Sequence, residues 1–290
     1  MKWKKINRHR VLSKAEVETL NFIWKWKMAN TIMLKTVVVP FNSFWKYYKK
    51  LRRLLKEGYI CEISDQLLQM SVWTLTKKGF NYLHGGSEAL SQKRFRPQSV
   101  THDYWASAFH LGDFVFGSSE NVNFISEQEL SSSVPESLPE WVPYSRDHIP
   151  DGYTFIEYDK KRTLMAFETE INAKSSARYE EMIRFLDAHD QIDYVFWLCM
   201  DDQIIERITQ QIVSIPRQKK SKHNFIRFAD FQKIGWDAPI LWGSKAKSSI
   251  SQIMGQYGVN TLVNKGAKTG QHRAIEIFAS SQKSPRGSMG

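Results

Sequence analysis

The sequence predicts an α/β (α+β) protein in two parts: a small helical unit closed by a strand pair, then a mixed sheet with helices packed on it. Three observations carry this. Apolar residues recur at helical spacing through the first part, as at Leu20, Ile23 and Trp24. After residue 100, short apolar runs of strand length alternate with helix-length amphipathic runs. The net charge of +11 is segregated: residues 1–85 carry 17 Lys/Arg against 5 Asp/Glu, residues 86–243 carry 17 against 24, and residues 244–290 carry 7 against 1. Basic ends around an acidic centre suit a protein that holds a polyanion with its ends and a cation at its middle.

In order along the chain, Ser13 followed by Glu16 forms a capping box for a first helix running to Trp26. A short helix near Met33–Val38 stops at Pro40. Asn42 caps a third helix to about Glu57, with Gly58 as its terminator. Strand-like pieces at Tyr59–Ser64 and Met70–Leu75 form a wing, and Leu75–Leu83 reads as a closing helix. Three helices followed by a two-stranded wing make a winged helix-turn-helix, here placed at residues 1–85. The Gly/Ser/Lys/Arg stretch at 86–100 reads as a linker. A core follows at 101–243. Its expected elements are a helix at Val100–Phe116, a strand at Val122–Ser126, a Ser/Pro-rich loop at 131–139 and strands at Tyr153–Tyr158 and Thr163–Glu170. A helix at Ser175–His189, a strand at Tyr194–Met200, a helix at Gln203–Val213 and a last strand at Phe225–Phe228 complete it. The Ser/Lys/Gly-rich residues 244–290 read as a flexible basic tail.

Composition excludes several classes. No apolar run approaches bilayer-crossing length, and no apolar signal core follows the start Met-Lys-Trp-Lys-Lys, so no membrane insertion is expected. Cys61 and Cys199 are far apart and read as reduced, buried thiols. A soluble cytoplasmic protein is the expectation. The pairs His102-Asp103 and His189-Asp190 invite an HD-hydrolase reading, but that site belongs to a helical fold. No Ser/His/Asp elbow, phosphate-cradling Gly loop or close His cluster appears.

Three acids near the middle carry the chemistry. Asp151 stands in Pro150-Asp151-Gly152; Glu168 and Glu170 stand in Phe167-Glu168-Thr169-Glu170. The interval of 17 residues from Asp151 to Glu168 accommodates a strand, a turn and a second strand. Side chains alternate along a strand, so Glu168 and Glu170 share one face. Oxygen ligands of this kind suit Mg²⁺ or Mn²⁺, and a metal there activates water against a phosphodiester. The pattern fits the metal-nuclease motif PD-(D/E)xK, except that Glu170 stands in place of the Lys. That places a restriction-endonuclease-like sheet at 101–243. Lys174 is positioned to supply the missing positive charge. Asp103 is a candidate fourth acid, and Tyr179 an alternative nucleophile to water. For each residue the plain alternative is a turn, a solvent-facing strand edge or a helix-start lysine.

For DNA binding, the third helix mixes Trp45, Lys46, Lys49, Arg52 and Arg53; Asn42, Ser43 and Lys46 are placed to reach base edges, and Lys77 and Lys78 add phosphate contacts. The wing turn Ser-Asp-Gln-Leu-Leu-Gln has no cation.

The order of these pieces resembles the plasmid replication-relaxation family, and within it the MobC-type conjugative relaxases. The resemblance spans roughly residues 10–200. It rests on the winged-helix order with Leu75-Thr-Lys-Lys-Gly79, on His102-Asp-Tyr-Trp-Ala-Ser-Ala-Phe-His-Leu-Gly-Asp113, on Pro150-Asp-Gly and Phe167-Glu-Thr-Glu170, and on Arg178-Tyr-Glu-Glu-Met-Ile-Arg-Phe-Leu186. It implies a winged helix joined to a restriction-endonuclease-like domain, with the family's catalytic acids carrying over to Asp151, Glu168 and Glu170. It further implies a nickase that cuts one strand of double-stranded plasmid DNA at a transfer origin, working with mobilisation accessory proteins and a type IV coupling protein. Two other readings remain: a DNA-binding accessory or regulator without catalysis, and a double-strand endonuclease of a defence system.

Overall fold

The computed structural model describes residues 10–40, 43–66, 68–85, 96–97, 99–116, 120–145, 147–216, 222–259 and 274–279. Asn42 and most of the expected linker lie outside the described residues.

Helix α1 (Lys14–Trp26) starts where expected, because the Glu16 carboxylate accepts from the Ser13 amide at 2.9 Å and closes the capping box. It ends at Lys27, whose φ of 61° turns the chain sharply out of the helix. A two-residue strand, β1 (Met28–Ala29), follows, then α2 (Thr31–Val38), capped by Asn30. α3 (Phe44–Lys56) is capped by Ser43, which accepts from the Lys46 amide. β2 (Ile60–Asp65) and β3 (Met70–Leu75) pair antiparallel, and β1 adds to the other side of β3, giving the order β1-β3-β2. α4 (Lys77–His84) closes this unit behind its Thr76 cap.

The second part begins with α5 (Val100–Leu111) and a 3₁₀ turn over Gly112–Phe116. β4 (Val122–Ser126) leads into α6 (Glu127–Ser132), and a 3₁₀ turn covers Pro135–Ser137, so the stretch expected as loop is partly helical. β5 (Gly152–Tyr158), β6 (Lys161–Glu170), α7 (Ser176–Ala188), β7 (Tyr194–Cys199), α8 (Asp202–Ser214) and β8 (His223–Arg227) follow. Then come α9 (Phe228–Ile234), β9 (Trp242–Gly243), α10 (Ile250–Gly255) and α11 (Ala274–Ala279). The six strands run β4-β5-β6-β7-β8-β9: antiparallel through β4, β5 and β6, parallel through β6, β7 and β8, and antiparallel again at β9. The protein is therefore mixed α/β with a mixed sheet.

The sheet is covered on both faces, which is why β6 and β7 read as near-continuous apolar runs. Leu164 and Ala166 pack with Tyr179, Met182 and Ile183 of α7 and Ile204 and Ile208 of α8. Met165 and Phe167 face the other way, toward Phe109 of α5 and Trp236. Glu168 and Glu170 share the parity of Leu164 and Ala166 and so project on the α7/α8 side.

Residues 244–259 and 274–279 were expected as part of a flexible tail and instead pack. Ile250, Ile253 and Met254 of α10 and Ile275, Ile277 and Phe278 of α11 are buried. Asn30 and the Tyr104 hydroxyl donate to the carbonyls of Ile277 and Phe278 at 2.8 and 2.6 Å. The cause is apolar spacing too short to stand out from a Ser/Lys/Gly-rich background. One apolar cluster runs from Leu12 of the N-terminal unit through α5 and Phe167 to Phe278, joining the two parts through a shared core. No helix among the described residues is long and apolar enough to cross a membrane.

Candidate functional site

β5 and β6 pair with Gly152 opposite Phe167, which brings Asp151, just ahead of β5, alongside the end of β6. Gly152 is required by packing: a Cβ there would lie 2.2 Å from the His110 ring and 2.8 Å from the Ile125 carbonyl oxygen. The Pro-Asp-Gly segment thus enters a strand rather than making a free turn. Asp151 accepts the Thr169 amide on Oδ2 at 2.7 Å, and its carbonyl accepts from the Glu127 amide. Burial, with Glu127 close by, pushes the Asp151 carboxyl up, against the pull of His102, Lys174 and Lys27.

Glu168 is 3% exposed. Its Oε1 lies 2.6 Å from His148 Nε2, and the buried His148 Nδ1 has no hydrogen-bond partner among the described residues. Glu170 is 1% exposed; the Lys174 ammonium donates to Oε1 and the Tyr179 hydroxyl to Oε2 at 3.3 Å. Burial raises the Glu170 carboxyl to about 7; Lys174 opposes the rise, while Glu168 and Asp151 add to it. Lys174 is itself raised: burial works against its charge, but Glu170 more than compensates. The Tyr179 side chain is wholly buried; its hydroxyl also accepts from the Lys174 amide, and burial and Glu170 hold its phenol well above the usual range. Enclosed in this way, it orders Glu170 and the turn into α7.

A second group of charges meets the first from behind. His102 Nδ1 lies 3.1 Å from Asp103 Oδ1 and Nε2 lies 2.9 Å from the Thr169 carbonyl oxygen. Both neighbours accept, so both ring nitrogens donate and the imidazole is charged. Burial works against that charge, but Asp103 and Asp151 outweigh it and raise His102 to about 9. Lys27 Nζ lies 2.5 Å from Glu127 Oε2 and 3.6 Å from Asp103 Oδ1. Lys27, Asp103, Glu127 and Asp151 line one cleft.

The fold thus gathers Asp151, Glu168, Glu170 and Lys174 at one end of the β5–β6 pair, with Asp103 behind them. It does not close the three acids on one point. Among the described residues, no group of three or more His, Cys, Asp or Glu side chains is arranged to hold a metal ion. Carboxylate oxygens suit Mg²⁺ or Mn²⁺ chemically, but each acid is bonded to a different donor: Asp151 to Thr169, Glu168 to His148, Glu170 to Lys174. His148, Glu127 and Lys27 escaped the reading of the sequence. His148 had a usable signal, standing three residues before Asp151; the other two had none.

On the N-terminal unit, Trp45 of α3 is 55% exposed, and Lys46, Lys49 and Lys77 are exposed. Ser43 is occupied as the cap. Arg52 and Arg53 turn back onto their own unit, pairing with Glu62 at 3.2 Å and Glu16 at 2.5 Å. Lys78 donates to the Glu57 carbonyl at 2.6 Å and lies over the Tyr59 ring.

A scan against protein-family models finds no match, and neither do searches of the curated proteins and of the solved structures.

Proposed function

We propose that this chain is a DNA-binding phosphodiesterase, a strand-specific nickase of the relaxase kind that cuts duplex plasmid DNA at a transfer origin to start mobilisation. The observation that carries the proposal is the gathering of Asp151, Glu168, Glu170 and Lys174 at one strand end. Glu170 is placed there to orient the attacking water as general base. Lys174 covers Glu170 and is partly exposed, so it stands where a phosphate arrives and offers positive charge to the developing oxyanion. The order α5-β4-α6-β5-β6-α7-β7, with its antiparallel-then-parallel sheet, supports the PD-(D/E)xK restriction-endonuclease-like reading. The three helices and hairpin before it support a winged helix-turn-helix, with Lys46, Lys49 and Lys77 on phosphates.

Mg²⁺ or Mn²⁺ belongs to the proposal as the cofactor of Asp151, Glu168 and Glu170. It requires Glu168 to exchange His148, and Glu170 to exchange Lys174, for the ion. Mobilisation accessory proteins and a type IV coupling protein are the partners this activity implies. The engagement of all three acids by protein donors favours a second reading, a DNA-binding accessory protein without catalysis.

Incubating a supercoiled origin plasmid with the protein and Mn²⁺, then with EDTA, separates the two. The nickase reading expects open circles that EDTA prevents, with the activity lost in Asp151→Asn and Glu168→Gln while DNA binding survives. Nicking unchanged in both variants removes the site assignment. Binding without relaxation leaves the accessory reading, and linear product indicates a double-strand endonuclease.

A further inference from the structure

We propose that Lys27, a residue of the N-terminal unit, is a positioning residue of the candidate site: its ammonium is the shared counter-charge of Asp103, Glu127 and Asp151 in one cleft, which makes the site composite across the two parts of the chain. The proposal deepens the phosphodiesterase reading and rests on it for its catalytic meaning.

Lys27 is held in place from every side. Its carbonyl accepts from Thr74 Oγ1 at 2.9 Å, and the next residue, Met28, pairs with Thr74 of β3. On the other side, Ser107 of α5 donates to the Trp26 carbonyl at 3.0 Å, and Lys25 donates to Glu129 and to the Phe124 carbonyl at 2.9 and 3.3 Å. The positive φ of Lys27 ends α1 at this point and redirects the chain across α5 and α6. The side chain then reaches Glu127 at 2.5 Å and Asp103 at 3.6 Å and is only 10% exposed. Asp151 lines the same cleft.

Electrostatics explains why a cation is needed there. Three carboxylates crowd one cleft, and buried like charges repel strongly unless a cation is shared among them. His102 and Lys174 also pull on Asp151, while His102 bonds Asp103 and the Thr169 carbonyl and Lys174 bonds Glu170. Lys27 is the cation the N-terminal unit adds to this group, meeting Glu127 and Asp103 in the cleft that Asp151 also lines. The burial of Lys27 works against its charge; Glu127, Asp103 and Asp151 more than offset this and keep it protonated. Lys174 stands in for the lysine that the (D/E)xK spacing lacks at Glu170, and the fold brings a further lysine to Asp103 and Glu127 from about 120 residues upstream of Asp151.

The test uses the full chain and two independent measurements. The first is a double-mutant cycle in urea between Lys27→Met and Asp151→Asn. The proposal expects the two changes to be coupled by about 3-fold or more in the unfolding constant, because the charges share one cleft. Strict additivity overturns it; should Lys27→Met fail to fold, Lys27→Gln, which also removes the charge, takes its place in the cycle with the same coupling expected. The second is nicking of supercoiled plasmid. Lys27→Met is expected to lower kcat by about 100-fold with KM for DNA changed less than about 3-fold, and Lys27→Arg to recover most of the loss. Tyr104→Phe, which removes docking hydrogen bonds to Asn30 and Phe278 outside the cleft, should stay near wild type. Equal loss in Tyr104→Phe and Lys27→Met, or no rescue by Arg, assigns Lys27 to docking alone. If the wild type itself does not nick, the phosphodiesterase reading falls, and the cycle alone decides whether Lys27 serves Asp151.

Discussion

Glu170 and His102 show how far burial sets the chemistry of single residues here. The Glu170 carboxyl is raised from its ordinary 4.5 to about 7, so the folded protein binds that proton more tightly than the unfolded chain. The stability this contributes is complete below 4.5 and is lost as pH rises through 7. Wild type should therefore lose urea stability relative to Glu170→Gln between those values; parallel curves would remove the burial account of Glu170. His102 has the same sign in a higher window. Its pKa rises from 6.5 to about 9, so its contribution is full below 6.5 and fades as pH passes 9. His102→Asn should abolish that alkaline decline in the same measurement. Neither shift was legible in the sequence, where Glu170 is one of two acids on a strand and His102 one half of a His-Asp pair. A pKa depends on what else is desolvated beside the group, and those neighbours come from other elements.

At the scale of elements, α3 and the start of β5 make opposite cases. α3 was legible, since its amphipathic spacing set the helix and its Lys and Arg marked a basic face. The structure sorts those cations into two sets: all four are exposed, but Arg53 and Arg52 pair with Glu16 and Glu62. On the DNA-binding proposal, Lys46→Ala with Lys49→Ala should weaken duplex binding and reduce the slope of log K against log salt by about 0.9 for each phosphate no longer neutralised. Arg52→Ala should change that slope less; fluorescence anisotropy over a salt series reads both. The start of β5 had a turn as its plain alternative in the sequence, because Pro-Asp-Gly is a common turn sequence. Its glycine is instead the residue that lets β5 approach the His110 ring. Gly152→Ala should destabilise the fold by about 1–3 kcal/mol, the usual cost of overpacking, measured by urea denaturation. A smaller effect would show that His110 yields.

Across the whole molecule, the C-terminal segment is the part the sequence misrepresented. α11 seals the junction between the N-terminal unit and α5, with Asn30 and Tyr104 bonding its carbonyls and Phe278 buried in the shared core. Phe278→Ala should cost about 3–5 kcal/mol, lowering the midpoint of a single thermal transition, because the cavity opens in a core that both parts share. The sequence by itself determined the principal helices and strands from α1 to β8, the mixed α/β class and the shared strand face of Glu168 and Glu170, because caps, periodicity and strand alternation act over a few residues. Only the tertiary structure decided what each acid touches: His148 on Glu168, Lys174 and Tyr179 on Glu170, and Lys27 between Asp103 and Glu127. Local hydrogen bonds leave a mark in neighbouring letters. A pairing such as that of Lys27 with Glu127, formed across 100 residues, leaves none until the core has closed.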